Sequence, residues 1–515
     1  MDKGLLIIII SWAGVAIWVG LVILNQKKYH PRALFILFFT EMWERFSFYG
    51  MRALLVLYMT KLLFSHMAQG DADIRSYGIY GAYTALLWAS PVIGGYVADR
   101  YTGFRNAILM GGSLMAAGQF TLAATIGKEF FFFVGLALIA VGNGFFKPNI
   151  SSFLGAFYEQ NDPRKDNAFT IFYMGINVGA FLAPVTCGYL GQHIHWSLGF
   201  LAAGAGMVSG LVVFILNSPR LLHNNNAPTS FARAAGEHTG KFNYGLLAIL
   251  VIILLTVFTW LMNAEKITSL ILTLAGALCL GFLLYTAYTS KDRVSARRLT
   301  AFVFLFFFHM IFWVLYEQAG GSLNILTDRY VNRHGLEASQ FQAIPPLFIV
   351  LLAPLFTYIW AALRKLKSEP YTVYKFFWAL VLMAAGYLVI ISGVKNAEAS
   401  QRLIPLAFIV GMYFFHTVGE LSISPVGLSV VTKLSPGKII GFVMGSWFLS
   451  IALGEKIAGY LGQLIAIPGN EPDRISALRS FTHVYLTWGI LVMLGSALVL
   501  LILSPLLRKW MEGIH

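Results

Sequence analysis

Phe35-Ile36-Leu37-Phe38-Phe39-Thr40-Glu41-Met42-Trp43-Glu44-Arg45-Phe46-Ser47-Phe48-Tyr49-Gly50-Met51-Arg52-Ala53-Leu54-Leu55-Val56-Leu57 is an apolar run that carries Glu41, Glu44, Arg45 and Arg52 in its middle. A helix that crosses a bilayer needs about 20 mostly apolar residues, and this stretch has that length. A charge at the bilayer centre costs on the order of 3 kcal/mol, so each of these residues is a candidate functional position. On a helix Glu41, Glu44 and Arg45 stand at i, i+3 and i+4 on one face, and Arg52 continues the stripe. One helix therefore presents a charged seam. Ion pairs that merely tie helices together are the structural alternative, although hydrophobic packing would do that more cheaply.

The remainder of the chain agrees with a lipid environment. Of 515 residues, 58% are hydrophobic and 12% charged, against roughly 25% charged in an ordinary soluble domain. Apolar stretches of spanning length number about fifteen, from one near Val15 to one near Met493, and they leave no room for a soluble domain. Lys and Arg gather in alternate loops, at Lys27, Lys28, Arg32, Arg100, Arg105, Arg164, Lys165, Arg220, Arg293, Arg298, Arg364, Lys365 and Lys367 among others. The bias is roughly two to one, which makes that side cytoplasmic. The expected location is the plasma (inner) membrane, with the N-terminus outside and the C-terminus in the cytoplasm. Lipid headgroups account for the net charge of +14 better than nucleic acid, for which no recognition fold appears. Cys187 and Cys279 lie inside apolar spans, where a structural disulfide is not expected.

The first span, Leu5 to about Leu24, runs into Asn25-Gln26-Lys27-Lys28. It is long for a signal peptide and lacks a small-x-small cleavage site, so it reads as a retained extra helix. The expected organisation is all-α and polytopic: an extra N-terminal helix at 1–28, a six-helix bundle at 29–217, a linker with a two-helix insertion at 218–297, and a second six-helix bundle at 298–515. The linker, Ser218 to Phe242, contains Asn224-Asn225-Asn226 and Pro228. The two inserted helices are apolar nearly all round and read as peripheral. Two six-helix halves are a common way to place a site at the bilayer midplane.

Further charges stand inside apolar spans at Lys147, Glu317, Glu420, Glu455 and Lys456. Over the whole set carboxylates exceed cations by one, so a neutral interior requires an added proton. Carboxylates crowded in low dielectric hold protons more readily, and an approaching Lys or Arg reverses this. Gly142-Asn143-Gly144 before Lys147-Pro148-Asn149, and Gly419-Glu420 before Pro425, point to close-packed, partly broken helices. Gly204-Ala205-Gly206 with Gly210 fits helix packing rather than a nucleotide loop. His309, Trp313 and Glu317 fall at spacings of four, as do His416, Glu420 and Ser424, so each histidine is placed on a face with a carboxylate. Either a proton relay or a hydrogen-bonded core histidine satisfies that spacing. No zinc motif, nucleophile elbow or P-loop is present, so no metal, cofactor, catalytic residue or enzymatic activity is expected.

Glu41-Met42-Trp43-Glu44-Arg45-Phe46-Ser47-Phe48-Tyr49-Gly50 resembles the ExxERFxYY signature of the proton-dependent oligopeptide transporters, a family of the major facilitator superfamily, in its bacterial type. Gly95-Tyr96-Val97-Ala98-Asp99-Arg100-Tyr101-Thr102-Gly103 is similar to the superfamily loop between the family's second and third helices. Phe172 to Gly179, Phe312 to Gln318 and Gly419 to Leu428 resemble the family's fifth-, seventh- and tenth-helix motifs. The resemblance covers nearly everything after residue 31, and the family's bacterial branch also carries two helices between its halves.

The resemblance implies that Glu41, Glu44, Arg45, Lys147 and Glu317 couple protons to substrate, with Arg45 and Lys147 favouring the peptide carboxylate. Asn177 and Glu420 would hold the amino end, Trp313 and Trp447 would line side-chain pockets, and Tyr49, Arg52 and Ser424 would belong to the binding site. Arg52 and Glu317 would form a gating salt bridge between the halves. The chain departs from the pattern at Phe48 and Trp88, where tyrosine is usual, and at Pro345 and Glu455, where asparagine is usual. The implied function is a proton-coupled symporter importing di- and tripeptides by alternating access, with peptide, protons and lipid as its partners. The departures leave open another small anion or a modified amino acid as cargo. A receptor or scaffold without turnover is the remaining reading, and an unbalanced charged seam argues against it.

Overall fold

The computed structural model describes residues 2–159, 162, 164–222, 244–366, 368–436, 439–470 and 472–512. Most of the linker expected from Ser218 to Phe242 lies outside the described residues. Among the described residues the structure is helical, with one isolated bridge between Val331 and Ile404.

The helices in chain order are α1 (Lys3–Gln26), α2 (Arg32–Tyr58), α3 (Gln69–Ala89), α4 (Pro91–Val97), α5 (Gly103–Ala124), α6 (Glu129–Gly155), α7 (Lys165–Tyr189), α8 (Trp196–Leu222) and α9 (Tyr244–Asn263). They continue as α10 (Glu265–Thr289), α11 (Arg293–Tyr316), α12 (Ser322–Tyr330), α13 (Ile344–Lys365), α14 (Thr372–Ser400), α15 (Leu406–Leu434), α16 (Ile440–Ile465), α17 (Arg474–Val484) and α18 (Met493–Met511). Among the described residues thirteen helical runs are long and apolar enough to cross a membrane. One of them, the 56-residue run Gln69–Ala124, is long enough to cross twice. The charge-bearing α2 is not among the thirteen and adds one more. The total is the fifteen spans read from the sequence.

The described residues fall into two compact units, one within Met1–Leu63, Leu86–Asn263 and Arg333–Leu347, the other within Phe64–Ala85, Ala264–Asn332 and Phe348–His515. In the first, α2 packs against α7 and α8, and α5 against α6 and α8. Glycine permits these close crossings: a Cβ on Gly142 would stand 2.6 Å from the Gly111 carbonyl oxygen, and one on Gly210 would stand 3.0 Å from Trp43 Cβ. Gly206 likewise faces Phe46 across the α2–α8 contact, so the glycines of α8 serve helix packing, as their apolar setting indicates. At Gly103 the chain turns into α5 with φ +70°, a left-handed conformation that glycine adopts without strain.

The expected breaks at Pro148 and Pro425 do not occur. Both α6 and α15 run through their prolines as single helices. In α6, Asn149 Nδ2 donates to the Phe145 carbonyl at 2.7 Å, and Ser152 Oγ donates to that of Pro148 at 2.9 Å. Irregular turns appear elsewhere, as wide turns at Met59–Leu63, Ala98–Thr102, Leu190–Ile194 and Tyr485–Val492 and as a tight turn at Glu317–Ala319. Pro345 and Pro346 occupy the first turn of α13, where a missing N–H has no helical partner to lose.

The extra helix α1 is mostly exposed and is held along one stripe. Trp12 Nε1 donates to Thr186 Oγ1 on α7 at 2.9 Å, and its ring packs 5.7 Å from Trp43 and 5.9 Å from Phe46 on α2. The connector that follows is pinned by buried His30, which lies 3.0 Å from the Tyr158 hydroxyl and 3.2 Å from Asn167 Nδ2. Burial, with Arg164 nearby, holds the His30 pKa below the usual histidine value. The inserted helices α9 and α10 expose most of their apolar surface, as expected of peripheral elements.

Candidate functional site

In the first unit the charged seam of α2 meets α6. Glu41 and Glu44 are fully buried and Arg45 is 4% exposed. The Arg45 guanidinium forks onto Glu44, with Nη2 donating to Oε1 at 2.6 Å and Nε donating to Oε2. Its Nε also lies 3.4 Å from Glu41 Oε1, the i, i+4 approach that the spacing dictates. From α6, Lys147 Nζ donates to the same Glu41 oxygen at 2.6 Å. Glu41 Oε2 has no hydrogen-bond partner among the described residues. Two carboxylates and two cations are thus interlocked, with one acceptor oxygen unused.

Asn143, one turn before Lys147, completes this cluster: its Oδ1 accepts from Arg45 Nη2 at 3.4 Å, and its Nδ2 donates to the Leu87 carbonyl at 3.3 Å. A lone amide in an apolar stretch, four residues before a lysine, was the available sequence signal. Phe48, which stands where tyrosine is usual, turns its ring toward the Arg45 guanidinium at 5.4 Å. Arg52 is buried further along α2, 5.7 Å from the ring of Tyr49. Asn177 of α7 is buried and spends its amide donor on the Tyr173 carbonyl at 3.0 Å, within its own helix. Gly179 brings α7 onto the seam, since a Cβ there would collide with the Met42 carbonyl and stand 3.0 Å from Arg45 Cβ.

In the second unit Glu420 of α15 is buried and accepts a short hydrogen bond from the Tyr316 hydroxyl of α11. Neither histidine bonds the carboxylate that its spacing placed beside it. For His309 the reason is distance, since Glu317 stands eight residues on, about 12 Å along the axis, just past the end of α11 at Tyr316. His309 bonds Ser450 Oγ at 2.7 Å and Trp313 Nε1 at 2.8 Å, and it stacks on Trp447 at 3.9 Å. It is a hydrogen-bonded core histidine.

His416 packs against Tyr387 and donates to the Met383 carbonyl, while its Nε2 has no partner among the described residues. Ser424 Oγ is likewise buried without a partner among them. Glu317 and Glu455 are buried, and Lys456 lies within electrostatic reach of Glu265 at the start of α10. Glu265 also accepts from Gln463 Nε2 at 3.0 Å. Tyr316 and Ser450 carry no charge to mark them in an apolar span, and their roles depend on partners on other helices. Among the described residues no group of histidine, cysteine or acidic side chains could hold a metal ion.

Long apolar helices with charges buried inside each unit define a multi-pass membrane transporter. The model of the POT family matches residues 105–477, and the chain belongs to that family. It is 34% identical to the uncharacterized transporter YclF of Bacillus subtilis (strain 168), over 94% of this chain and 96% of the relative. It is 33% identical to dipeptide and tripeptide permease A of Klebsiella pneumoniae (strain 342), over 94% of each. Among solved structures, a mutant of a peptide transporter POT in complex with alafosfalin superposes with a TM-score of 0.80 at 33% identity, covering 94% of this chain and 96% of the other. A POT family transporter in complex with 5-aminolevulinic acid gives 0.77 at 30% identity, covering 93% and 97%.

Proposed function

We propose that this protein is a symporter that imports di- and tripeptides together with protons by alternating access. The observation that carries the reading is the interlocked set Glu41, Glu44, Arg45 and Lys147, buried in apolar helices with Glu41 Oε2 unpartnered. Family membership and the names of its relatives support it. While Glu44 is ionised it occupies the guanidinium of Arg45. A proton on Glu44 removes that attraction and releases the planar fork to a peptide carboxylate, the partner it binds bidentately. Lys147 attracts the same carboxylate, and Glu41, losing that partner, is neutralised by a second proton from outside.

Glu420 and Asn177 serve the peptide amino end, and Trp313 and Trp447 its side chains. Tyr49, Arg52 and Ser424 contribute to binding, and Glu317 to proton coupling, with Arg52 and Glu317 acting as gate residues. The 1–28, 29–217, 218–297 and 298–515 organisation fits this reading. So does insertion in the plasma (inner) membrane with the N-terminus outside and the C-terminus cytoplasmic. Each inward proton supplies about 2.3 kcal/mol per 100 mV and about 1.4 kcal/mol per pH unit, enough for accumulation.

The test is uptake of labelled dialanine into proteoliposomes with and without an inward proton gradient, repeated with Glu44→Gln. Gradient-driven accumulation that the variant abolishes is the expected result. No driven uptake of any peptide in a broad panel overturns the peptide reading. Uptake confined to small anions or modified amino acids instead would assign the cargo that Phe48 leaves open. Unchanged driven uptake by Glu44→Gln overturns the mechanism.

A further inference from the structure

We propose that His309 is a positioning residue that fixes an indole wall for the substrate's first side chain, and so sets a preference for peptides that begin with an aromatic residue. The inference rests on the peptide-transport reading above.

His309 is 2% exposed on α11. Trp313 Nε1–H can only donate, so its 2.8 Å contact makes His309 Nε2 the acceptor. The proton of the neutral ring then sits on Nδ1, 2.7 Å from Ser450 Oγ. Ser450 spends its own proton on the Trp447 carbonyl at 2.7 Å, which leaves its oxygen to accept from His309. One arrangement therefore satisfies every polar atom of the imidazole and its serine. The flat face of the ring is used as well, lying 3.9 Å from Trp447 at an interplanar angle of 26°. Trp447 is itself confined: a Cβ on Gly427 would stand 2.7 Å from its ring.

An aliphatic side chain would fill the same space without burying two polar nitrogens. What the imidazole adds is direction. It holds the Trp313 indole by its one polar atom, and Trp313, unlike Trp447, is only part buried. Trp313 stands edge-on to Tyr316 at 5.2 Å, and Tyr316 donates to Glu420. His309, Trp313 and Tyr316 fall at i, i+4 and i+7, one stripe of α11. The accessible indole thus packs on the tyrosine that donates to the carboxylate assigned to the peptide amino end, which places it on the side where the first side chain emerges. Aromatic rings pack on indole faces in offset or edge-on geometry that tolerates little rotation, so freeing the indole weakens aromatic side chains more than methyl groups.

The test compares KM and kcat for Phe-Ala and Ala-Ala in proteoliposomes of wild type, His309→Leu, His309→Gln and Ser450→Ala. In His309→Leu the preference for Phe-Ala over Ala-Ala, expressed as the KM ratio, should fall about fivefold, the equivalent of one lost hydrogen bond. The kcat for Ala-Ala should be unchanged. His309→Gln, which keeps an acceptor within reach of Trp313, should restore most of the ratio. Ser450→Ala should lower it about twofold, and this smaller variant carries the test if His309→Leu does not reach the membrane. Equal changes for both peptides, or an unchanged ratio, overturn the proposal. Absence of driven Ala-Ala uptake by the wild type is a different result, because it overturns the transport reading itself.

Discussion

Lys147 Nζ lies 2.6 Å from Glu41 Oε1, joining α6 to α2 across 106 positions of sequence. The carboxylate is fully buried, whereas the lysine keeps 23% of its side chain exposed. Without Lys147, Glu41 retains only the longer contact to Arg45. Lys147→Met should therefore destabilise the protein by about 3 kcal/mol, because one buried charge is left uncompensated. The double variant with Glu41→Gln should recover most of that loss, and both variants should lose driven uptake. Thermal unfolding in detergent measures the first effect, and a melting temperature equal to wild type for Lys147→Met would contradict it.

Gly179 allows α7 to lie directly on the charged seam. Overpacking a tight contact costs typically 1–3 kcal/mol, and here the obstacle is the Met42 carbonyl, which cannot move aside. Gly179→Leu should lower stability by about 3 kcal/mol and abolish uptake. Gly14→Ala, at a position with open space around it, should leave both unchanged. Equal behaviour of the two variants would show that the close approach is unimportant.

Tyr316 supplies a hydrogen-bond donor to Glu420. A hydrogen bond to a charged group contributes about 1.5–3 kcal/mol, so Tyr316→Phe leaves the carboxylate less well oriented. The KM for dialanine should rise about tenfold while protein yield stays at the wild-type level. A KM within experimental error of wild type would remove Tyr316 from the site.

Glu369, in the loop between α13 and α14, bridges Arg364 Nε at 2.9 Å and Lys375 Nζ at 2.7 Å. The hydrogen bond from Arg364, followed by that from Lys375, holds its pKa down to about 2, against an ordinary value of 4.5. A carboxylate with a depressed pKa stabilises the fold above its unfolded value, and that contribution disappears as pH falls through the folded value. Glu369→Gln should melt below wild type by a constant margin from pH 7 to about pH 5, and the margin should close toward pH 2. A margin that does not depend on pH would mean that the ion pairs contribute nothing.

Much of the site was legible in α2, because Glu41, Glu44 and Arg45 share one helix and their spacing alone sets their approach. At His309 the spacing left a proton relay and a core histidine open, and only the contacts to Ser450 and Trp313 on the folded chain distinguish them. His416 and Glu420 share α15, but their partners, Met383 and Tyr316, come from neighbouring helices that spacing does not reveal. In the sequence Pro148 suggests a break, yet α6 continues through it from Glu129 to Gly155.

By itself the sequence determined the membrane class, the fifteen spans, the charged seam and, through its motifs, the family. Each of these rests on local quantities: the length of an apolar run, the spacing of charges within one helix, or the order of residues in a motif. Only the tertiary structure decided which charge answers which. Lys147 meets Glu41, Asn143 meets Arg45, and His309 turns to Trp313 and Ser450. Such contacts depend on the rotation and height of one helix against another, and spacing along the chain carries no record of either.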